Sequence, residues 1–274
     1  MKIVMTGASG FVGSHLLRRW ASAHEIFILP RNSEWKKILP GKADAVVHLA
    51  MVSGPFPDKA LEMFEVNTLF TQRLLDYARQ SGVKKFLFAS TGDVYGVKAG
   101  ASLESDPAKP SGYYAITKHL SELLMKGYSD FFETCSLRIY RPYGPGQKDR
   151  LIPKLAESIR KGIPVFVENG ERPLLSPIYI DDLAEAFDRV LNRSCSGILN
   201  LAGSQIVSMK ELIERIGEAV GSKPKIEEAS HPSGDQIGDI TLMKQKLGLW
   251  PMIGLPEGIK RTFTGKGVYA NTHG

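Results

Sequence analysis

The stretch KIVMTGASGFVGSHLLRRW, residues 2–20, decides the fold. Residues 2–6 are mostly apolar and predict a short buried strand, glycines follow at positions 7, 10 and 13, and apolar residues at helical spacing then predict a helix. A strand that leads through a glycine-rich turn into a helix forms a cradle for the pyrophosphate of a dinucleotide, which the amides at the helix N-terminus can bind. We therefore expect cofactor contacts from Gly7, Ser9, Gly10, Phe11, Val12 and Gly13.

The rest of the chain continues the alternation of strands and helices. Apolar runs near 25–29, 45–49, 84–90 and 133–139 predict further strands, and helical periodicity appears near 58–80, 112–126 and 151–161. Such alternation predicts an α/β fold with a doubly wound parallel sheet and helices on both faces.

The composition narrows the class of partner. The 274 residues are 43% hydrophobic and 23% charged, and 35 basic against 29 acidic residues give a net charge of +6 without any long basic run. This spread favours a small anionic ligand over nucleic acid. We find neither a signal peptide nor an apolar run of the roughly 18 residues that a membrane helix needs, so no membrane partner is expected.

The two cysteines, Cys135 and Cys195, have no paired spacing and belong to no zinc-like cluster. This usage predicts a reduced, cytoplasmic protein without a bound metal.

A second informative stretch is SGYYAITKHLSELL, residues 111–124, which predicts an amphipathic helix. Tyr114 and Lys118 are four residues apart and so share a helix face, whereas Tyr113 is turned roughly 100° away. Such a pair is common by chance, so on its own the helix permits two interpretations: packing residues, or a phenolic proton donor tuned by an ammonium group.

Several motifs in order decide between them. The spacing Gly-x-x-Gly-x-x-Gly, KKFLFASTGDVYG (84–96), RIYRPYGPGQ (138–147), AVVHLA (45–50) and SPIYIDDLAEAF (176–187) together resemble the extended short-chain dehydrogenases/reductases, specifically the NAD(P)-dependent epimerase/dehydratase family. The resemblance covers residues 1 to about 250. It implies a Rossmann-type NAD(P)-binding domain over 1–140. Residues 141–274 are then mainly a small C-terminal substrate-binding lobe, with a segment at about 177–202 returning to the Rossmann core.

The resemblance also implies roles for single residues. Tyr114 matches the family's acid/base, Lys118 its cofactor clamp and modifier of the phenol's pKa, and Thr91 the residue that orients the reacting oxygen. Leu49 and Ala50 fall at cofactor-binding positions, and Asn67 matches an asparagine that braces neighbouring strands. The helices near 59–80 and 112–126 form a homodimer interface in this family, so a homodimer is expected.

The second strand departs from the family pattern in two ways. Arg31, followed by Asn32, stands near the place of an acidic residue that would bind the ribose of NAD, which predicts NADP, with NAD as the alternative. Only about 15 residues lead from this strand to AVVHLA. We therefore expect a sheet one strand short of the family norm, with Trp35 as the candidate to cover the adenine.

The substrate positions also depart from the family. Leu175 stands where nucleotide-sugar enzymes commonly carry an arginine, and Arg141 replaces a common asparagine. Either phosphate pairing has moved to other cations or the substrate is not a nucleotide diphosphate. The residues expected to bind substrate are Asp93, Arg141, Lys148, Arg150 and Arg172.

These motifs favour hydride transfer at a ring carbon of a nucleotide sugar, with C4 the first choice, by ketoreduction or epimerisation. Dehydratases of the family carry an Asp-Glu pair where Gly92-Asp93 stands here, which makes elimination the less expected reaction. The alternatives are an NADPH-dependent reductase of a non-sugar carbonyl and a non-catalytic NADP-sensing regulator.

Overall fold

The core of the protein is a six-stranded, wholly parallel sheet. The computed structural model describes residues 1–30, 38–229 and 234–265. The strand order is β2-β1-β3-β4-β6-β9. These strands are β1 (Lys2–Thr6), β2 (Glu25–Leu29), β3 (Ala45–His48), β4 (Lys85–Thr91), β6 (Glu133–Ile139) and β9 (Gly197–Leu201).

Eight helices are found in the described ranges. They are α1 (Phe11–Trp20), α2 (Ala60–Phe64 and Phe70–Gln80, joined by a π-helical turn Glu65–Leu69), α3 (Tyr113–Lys126), α4 (Leu151–Arg160), α5 (Ile180–Asn192), α6 (Met209–Val220), α7 (Thr241–Leu247) and α8 (Leu255–Thr264). None of them, within those ranges, has the length and apolar character to cross a bilayer.

The sheet buries both of its faces, as the alternation of elements predicts. Ile3 and Met5 of β1 lie in a core with residues of α1 and α5, whereas Val4, between them, lies in a second core with residues of α2 and α3. Because successive side chains of a strand point to opposite faces, one strand supplies both cores. The predicted α/β, Rossmann-type doubly wound sheet is confirmed.

Among the described residues the sheet has six strands, one fewer than the norm expected from the resemblance. β1 pairs with β2 on one side and with β3 on the other, so β2 is the outermost strand among the described residues. Residues 30–44 connect β2 to β3, and of these residues 31–37 lie outside the described ranges.

In the described part of the chain, three small two-stranded sheets lie outside the main sheet. β5 (Ala101–Ser102) pairs with β12 (Ile237–Gly238), β8 (Leu174–Leu175) with β10 (Val207–Ser208), and β7 (Val165–Val167) with β11 (Ile226–Glu228). Between β8 and β10 in the chain, α5 and β9 return to the main sheet. Arg19 of α1 there pairs with Glu185 and Asp188 of α5. The division into a cofactor domain and a substrate lobe stays a prediction.

The two cysteines meet although their spacing gives no sign of it. Cys135 lies near the start of β6 and Cys195 just before β9, and the Sγ atoms of these free, buried thiols are 3.1 Å apart. β6 and β9 are neighbours in the sheet, which brings together residues 60 positions apart in the chain.

Candidate active site

The glycine-rich turn has the geometry of a phosphate cradle. Gly7 has a φ of +69°, and a Cβ on it would lie 2.7 Å from the backbone of Leu49 and Ala50. A Cβ on Gly13 would overlap the carbonyl oxygen of Gly7, so α1 can lie this close to the turn only with glycine there. Gly10 is the N-cap residue of α1, and no side chain caps this helix N-terminus with a hydrogen bond. The turn therefore fits the pyrophosphate of a dinucleotide.

This cradle opens into a cleft of about 780 Å³ at the carboxyl ends of the central strands. In open α/β sheets this edge is where ligands bind. Fourteen residues selected from the sequence line the cleft: Gly7, Ser9, Gly10, Phe11, Val12, Gly13, Leu49, Ala50, Thr91, Asp93, Tyr114, Arg141, Lys148 and Arg150.

Two selected residues that the structure describes, Lys118 and Arg172, are not part of this lining. Arg31, Asn32 and Trp35 lie outside the described residues. Lys118 is buried behind the cleft. Arg172 pairs instead with the carboxylate of Asp235, which also accepts hydrogen bonds from the amides of Leu174 and Gly100, each at 2.9 Å. Arg172 thus anchors the segment before β8, and its role in substrate binding stays a prediction.

Helix α3 separates the two adjacent tyrosines. Tyr114 lines the cleft, whereas the ring of Tyr113 stacks on Phe56 with ring centroids 5.0 Å apart. One turn further on, Lys118 is 1% exposed, and its Nζ lies 3.9 Å from the ring centroid of Phe88. Within the described part of the chain this Nζ has no hydrogen-bond partner. A buried ammonium group beside the cleft, with its donors unused, is suited to a ligand rich in oxygen atoms.

Burial dominates the titration of both residues. Burial raises the pKa of Tyr114 and Asp93 raises it further, while Arg150 and Arg141 act in the opposite direction. Burial also lowers the pKa of Lys118 to about 7, against the influence of Glu122. The sequence argument expected the ammonium group and a nicotinamide cation together to favour the phenolate. In the protein alone burial has the larger effect on the pKa of the phenol, because the low-dielectric surroundings penalise its charged form.

Thr91 ends β4 and lies in the same cleft. Its Oγ1 accepts a hydrogen bond of 3.2 Å from the amide of Asp93, so its own hydroxyl hydrogen remains available to a substrate oxygen.

The glycine before Asp93 is required by packing. A Cβ on Gly92 would lie 2.5 Å from Cε1 of Tyr140, and one on Gly238 would lie 2.6 Å from Cε2 of the same ring. The tyrosine ring therefore fills the space on the inner side of position 92. Asp93 is the one carboxylate that this turn, Gly92–Tyr95, presents to the cleft.

Three cations from the loop after β6 approach the cleft. Arg141 has a φ of 39°, a left-handed conformation unusual for arginine, and its Nη2 lies 3.9 Å from Oδ1 of Asp93. Arg150 reaches across the cleft, with its Nη1 3.4 Å from Oγ of Ser53. With Lys148 they give this wall a positive charge.

Asn67 braces the cleft, although not between two strands as the resemblance implies. Its side-chain amide exchanges hydrogen bonds of 2.8 and 2.9 Å with the backbone of Val52 and donates a third, of 3.0 Å, to Oγ1 of Thr117. It thus ties the loop after β3 to α3.

The sequence analysis missed a buried polar cluster behind the cleft. Ser90, Glu122 and Arg138 are all buried, and both Ser90 and Arg138 donate hydrogen bonds to the carboxylate of Glu122. The available signal was the arginine inside the apolar strand CSLRIY (135–140), because an arginine is rarely buried unless it is paired.

Known proteins resemble this chain over nearly its full length. A model of the NAD dependent epimerase/dehydratase family matches residues 3–202. The UDP-N-acetyl-alpha-D-glucosaminuronate decarboxylase of Bacillus cytotoxicus is 27% identical over 311 residues, covering 95% of this chain and 96% of the relative. The structure of MoeE5 in complex with UDP-glucose and NAD superposes with a TM-score of 0.85 at 27% identity, over 96% of this chain and 98% of MoeE5. The UDP-glucuronic acid 4-epimerase from Bacillus cereus, in complex with UDP-glucuronic acid and NAD, gives 0.83 at 25% identity, over 96% and 98%.

The parallel sheet, the glycine cradle and the Tyr-x-x-x-Lys helix define an enzyme of the extended short-chain dehydrogenase/reductase type. With the family model matching most of its length, the chain belongs to the NAD-dependent epimerase/dehydratase family.

Proposed function

We propose that the protein transfers a hydride at a ring carbon, C4, of a nucleotide sugar, by epimerisation or ketoreduction, with Tyr114 as the acid/base. The observation that carries this proposal is the arrangement of Tyr114 and Thr91 in one cleft with the buried ammonium group of Lys118 behind them. The relatives support the substrate class, because MoeE5 binds UDP-glucose and the Bacillus cereus enzyme is a UDP-glucuronic acid 4-epimerase.

Each side chain of the proposed site has its own role in the reaction. When bound, a nicotinamide cofactor accepts or donates the hydride. Tyr114 moves a proton to or from the oxygen on the reacting carbon, and Thr91 donates a hydrogen bond that orients that oxygen. Lys118 binds the cofactor and supplies positive charge, which favours the phenolate against the effect of burial. Both reaction types alternate between a carbonyl and an alcohol, so they use the same residues.

The charge on the cleft wall supports an anionic substrate. Arg141, Lys148 and Arg150 are placed to pair with a diphosphate, and a guanidinium group can bind phosphate oxygens in a two-pronged geometry. For the cofactor we propose NADP, on the basis of Arg31 and Asn32, with NAD as the alternative that the complexes of MoeE5 and the Bacillus cereus epimerase favour.

We also propose that the enzyme is a homodimer. Helices α2 and α3 pack side by side and expose an apolar surface consisting of Leu61, Phe64, Ile116, Leu120 and Leu123. The three α3 residues recur at i, i+4 and i+7, which forms a continuous stripe. A second copy of the same surface, related by a two-fold axis, would cover it.

A second candidate is a reductase of a non-sugar carbonyl. Leu175 in place of an arginine, and a side pocket of about 190 Å³ with Leu151, Pro173, Leu175 and Met209 in its lining, favour an apolar substituent next to Arg141. Elimination has less support, because the ring of Tyr140 leaves no space for a second acid at position 92.

A substrate panel separates these candidates. The protein is incubated with UDP-, GDP- and dTDP-sugars and with non-sugar carbonyls, with NAD, NADP or their reduced forms, and the products are identified by NMR. A 4-epimer or a 4-reduced sugar supports the proposal. Turnover of uncharged carbonyls alone would move the assignment to the second candidate. Fluorescence titration with NADPH and NADH in the same buffers settles the cofactor, and equal or tighter binding of NADH would contradict NADP.

A further inference from the structure

A buried carboxylate lies directly behind the proposed reacting groups. The side chain of Glu122 is 5% exposed and accepts four hydrogen bonds: from Oγ of Ser90 at 2.6 Å, from Nε and Nη2 of Arg138 at 3.0 and 2.7 Å, and from Nδ1 of His119 at 3.2 Å. Burial would raise the pKa of this carboxyl, but the hydrogen bonds and charge of Arg138 hold it below its usual value, so the group is ionised. Buried ion pairs contribute little to stability compared with apolar residues of the same volume. The fold alone therefore gives a weak reason for this pair.

The position of Glu122 connects it to each proposed reacting residue. Tyr114, Lys118 and Glu122 are spaced at i, i+4 and i+8, and so form one row along α3. Ser90, which Glu122 binds, directly precedes Thr91 at the end of β4, and Arg138 is the residue of β6 in register with Ser90. One carboxylate thus joins α3 to the two strands whose ends form the floor of the cleft.

Glu122 is also the anion that opposes the desolvation of Lys118. The ammonium group faces the ring of Phe88 on β4 and the buried His48 on β3. Burial and the charge of Lys118 hold the pKa of His48 well below its usual value. On α3, Tyr114 lies one turn before Lys118 and Glu122 lies one turn after it. His119 of α3 and Arg138 of β6 both bind the carboxylate of Glu122. Of these groups, Glu122 raises the pKa of Lys118.

We propose that Glu122 is a positioning residue for the reaction: it ties the strand end that carries Thr91 to α3, and its negative charge, one helical turn from Lys118, stabilises the ammonium form of that lysine. This inference rests on the proposed function for its kinetic consequences only. The state of Lys118 can be read from cofactor binding, which needs no turnover.

The first test is Glu122→Gln, which keeps the shape and one accepting oxygen but removes the charge and the second accepting oxygen. Affinity for NAD(P)H, measured by fluorescence, should fall with rising pH as Lys118 loses its proton. In the variant this fall should occur at a pH lower by about one unit, a roughly tenfold loss of protonated lysine on the alkaline side. His119→Ala, which leaves the carboxylate in place, should give the wild-type curve. Superimposable curves for Glu122→Gln and the wild-type protein would overturn the proposed effect of the Glu122 charge on Lys118.

Two further variants complete the test. Should Glu122→Gln not fold, the double variant Glu122→Gln/Arg138→Met removes both charges together and should show a downward shift that is smaller, because a nearby positive charge is lost as well. Ser90→Ala removes the tether but no charge, and should lower kcat severalfold at every pH with the affinity curve unmoved. An unchanged kcat for Ser90→Ala would overturn the proposal that the Ser90–Glu122 hydrogen bond positions Thr91. If the wild-type protein turns over no nucleotide sugar, the proposed function fails, while the NAD(P)H curves still decide the role of Glu122.

Discussion

At the scale of single residues, the sequence predicts the side chains that a local motif carries. Gly7, Gly13, Thr91 and Tyr114 lie where their spacing places them, because a turn or a helix fixes their positions. Partners distant in the sequence could not be predicted. The pairing of Arg172 with Asp235 is set by how strands and loops pack, and no local pattern records it.

The buried lysine should reduce the stability of the fold. The pKa of Lys118 falls from 10.5 unfolded to about 7 folded, so between these values the unfolded chain binds the extra proton and stability rises with pH. Burying the charged lysine lowers the free energy of unfolding by up to about 5 kcal/mol below pH 7, and this loss disappears towards pH 10.5. Lys118→Met should therefore raise Tm most at pH 6, and this gain should shrink steadily in scans at pH 8 and 9. A gain that is constant with pH would contradict the lowered pKa.

The two arginines assigned from the sequence should behave differently. Arg141→Ala should raise KM for the nucleotide sugar by about tenfold or more, equivalent to about 1.4 kcal/mol, and leave cofactor affinity nearly intact. Arg172→Ala, the matched control, should leave KM unchanged but lower stability, because it leaves the buried carboxylate of Asp235 without its cation. Initial rates and thermal melts of both variants decide the matter. Equal effects on KM would show that the cleft extends to Arg172.

At the scale of elements, the sequence predicts strands β1–β4 and β6 and helices α1–α4, because the hydropathy pattern extends over their length, but it assigns no bounds to α5, α6 or β9. The sequence predicts neither the π-helical turn Glu65–Leu69 nor the two-residue strands of the small sheets. The extra residue in that turn has no hydropathy signature, and the short strands are held by tertiary contacts alone. The turn nevertheless matters, because it contains Asn67.

Asn67 should contribute more to stability than a surface asparagine. Asn67→Ala removes three buried hydrogen bonds and leaves the backbone of Val52 unpaired, which should cost about 3 kcal/mol. Asn192, whose side chain bonds only the carbonyl of Asp188 at the surface, is the control, and its alanine variant should lose less than about 1 kcal/mol. Urea denaturation of both variants measures the difference. Similar losses would mean that the loop after β3 does not depend on this brace.

At the scale of the whole molecule, the sheet follows from the order of the elements, since alternating strands and helices with right-handed crossovers permit few arrangements. The contact between Cys135 and Cys195 and the exposed stripe on α3 depend on the assembled fold, and only the structure reveals them.

The proposed dimer depends on that stripe. The double variant Ile116→Glu/Leu123→Glu places charges on the apolar surface and should give a monomer, because burying unpaired carboxylates between two copies is strongly unfavourable. Ile163→Glu, at an exposed position on the loop between α4 and β7, should leave the mass unchanged. Light scattering after size-exclusion chromatography gives the masses. A wild-type monomer at micromolar concentration would contradict the dimer.

The central claim is that Tyr114, and not the adjacent Tyr113, moves the proton in the reaction. Its most direct test compares single-turnover hydride transfer in Tyr114→Phe and Tyr113→Phe with the nucleotide sugar that the wild-type enzyme accepts, and NAD(P)H affinity is measured for each. We predict a loss of at least about a hundredfold in rate for Tyr114→Phe, with cofactor affinity within about threefold of wild type, because only the acid/base oxygen is removed. Tyr113→Phe should retain most of the rate, since its ring stacks on Phe56 outside the cleft lining. Equal losses in the two variants, or a Tyr114→Phe enzyme that keeps its rate, would contradict the assignment of Tyr114.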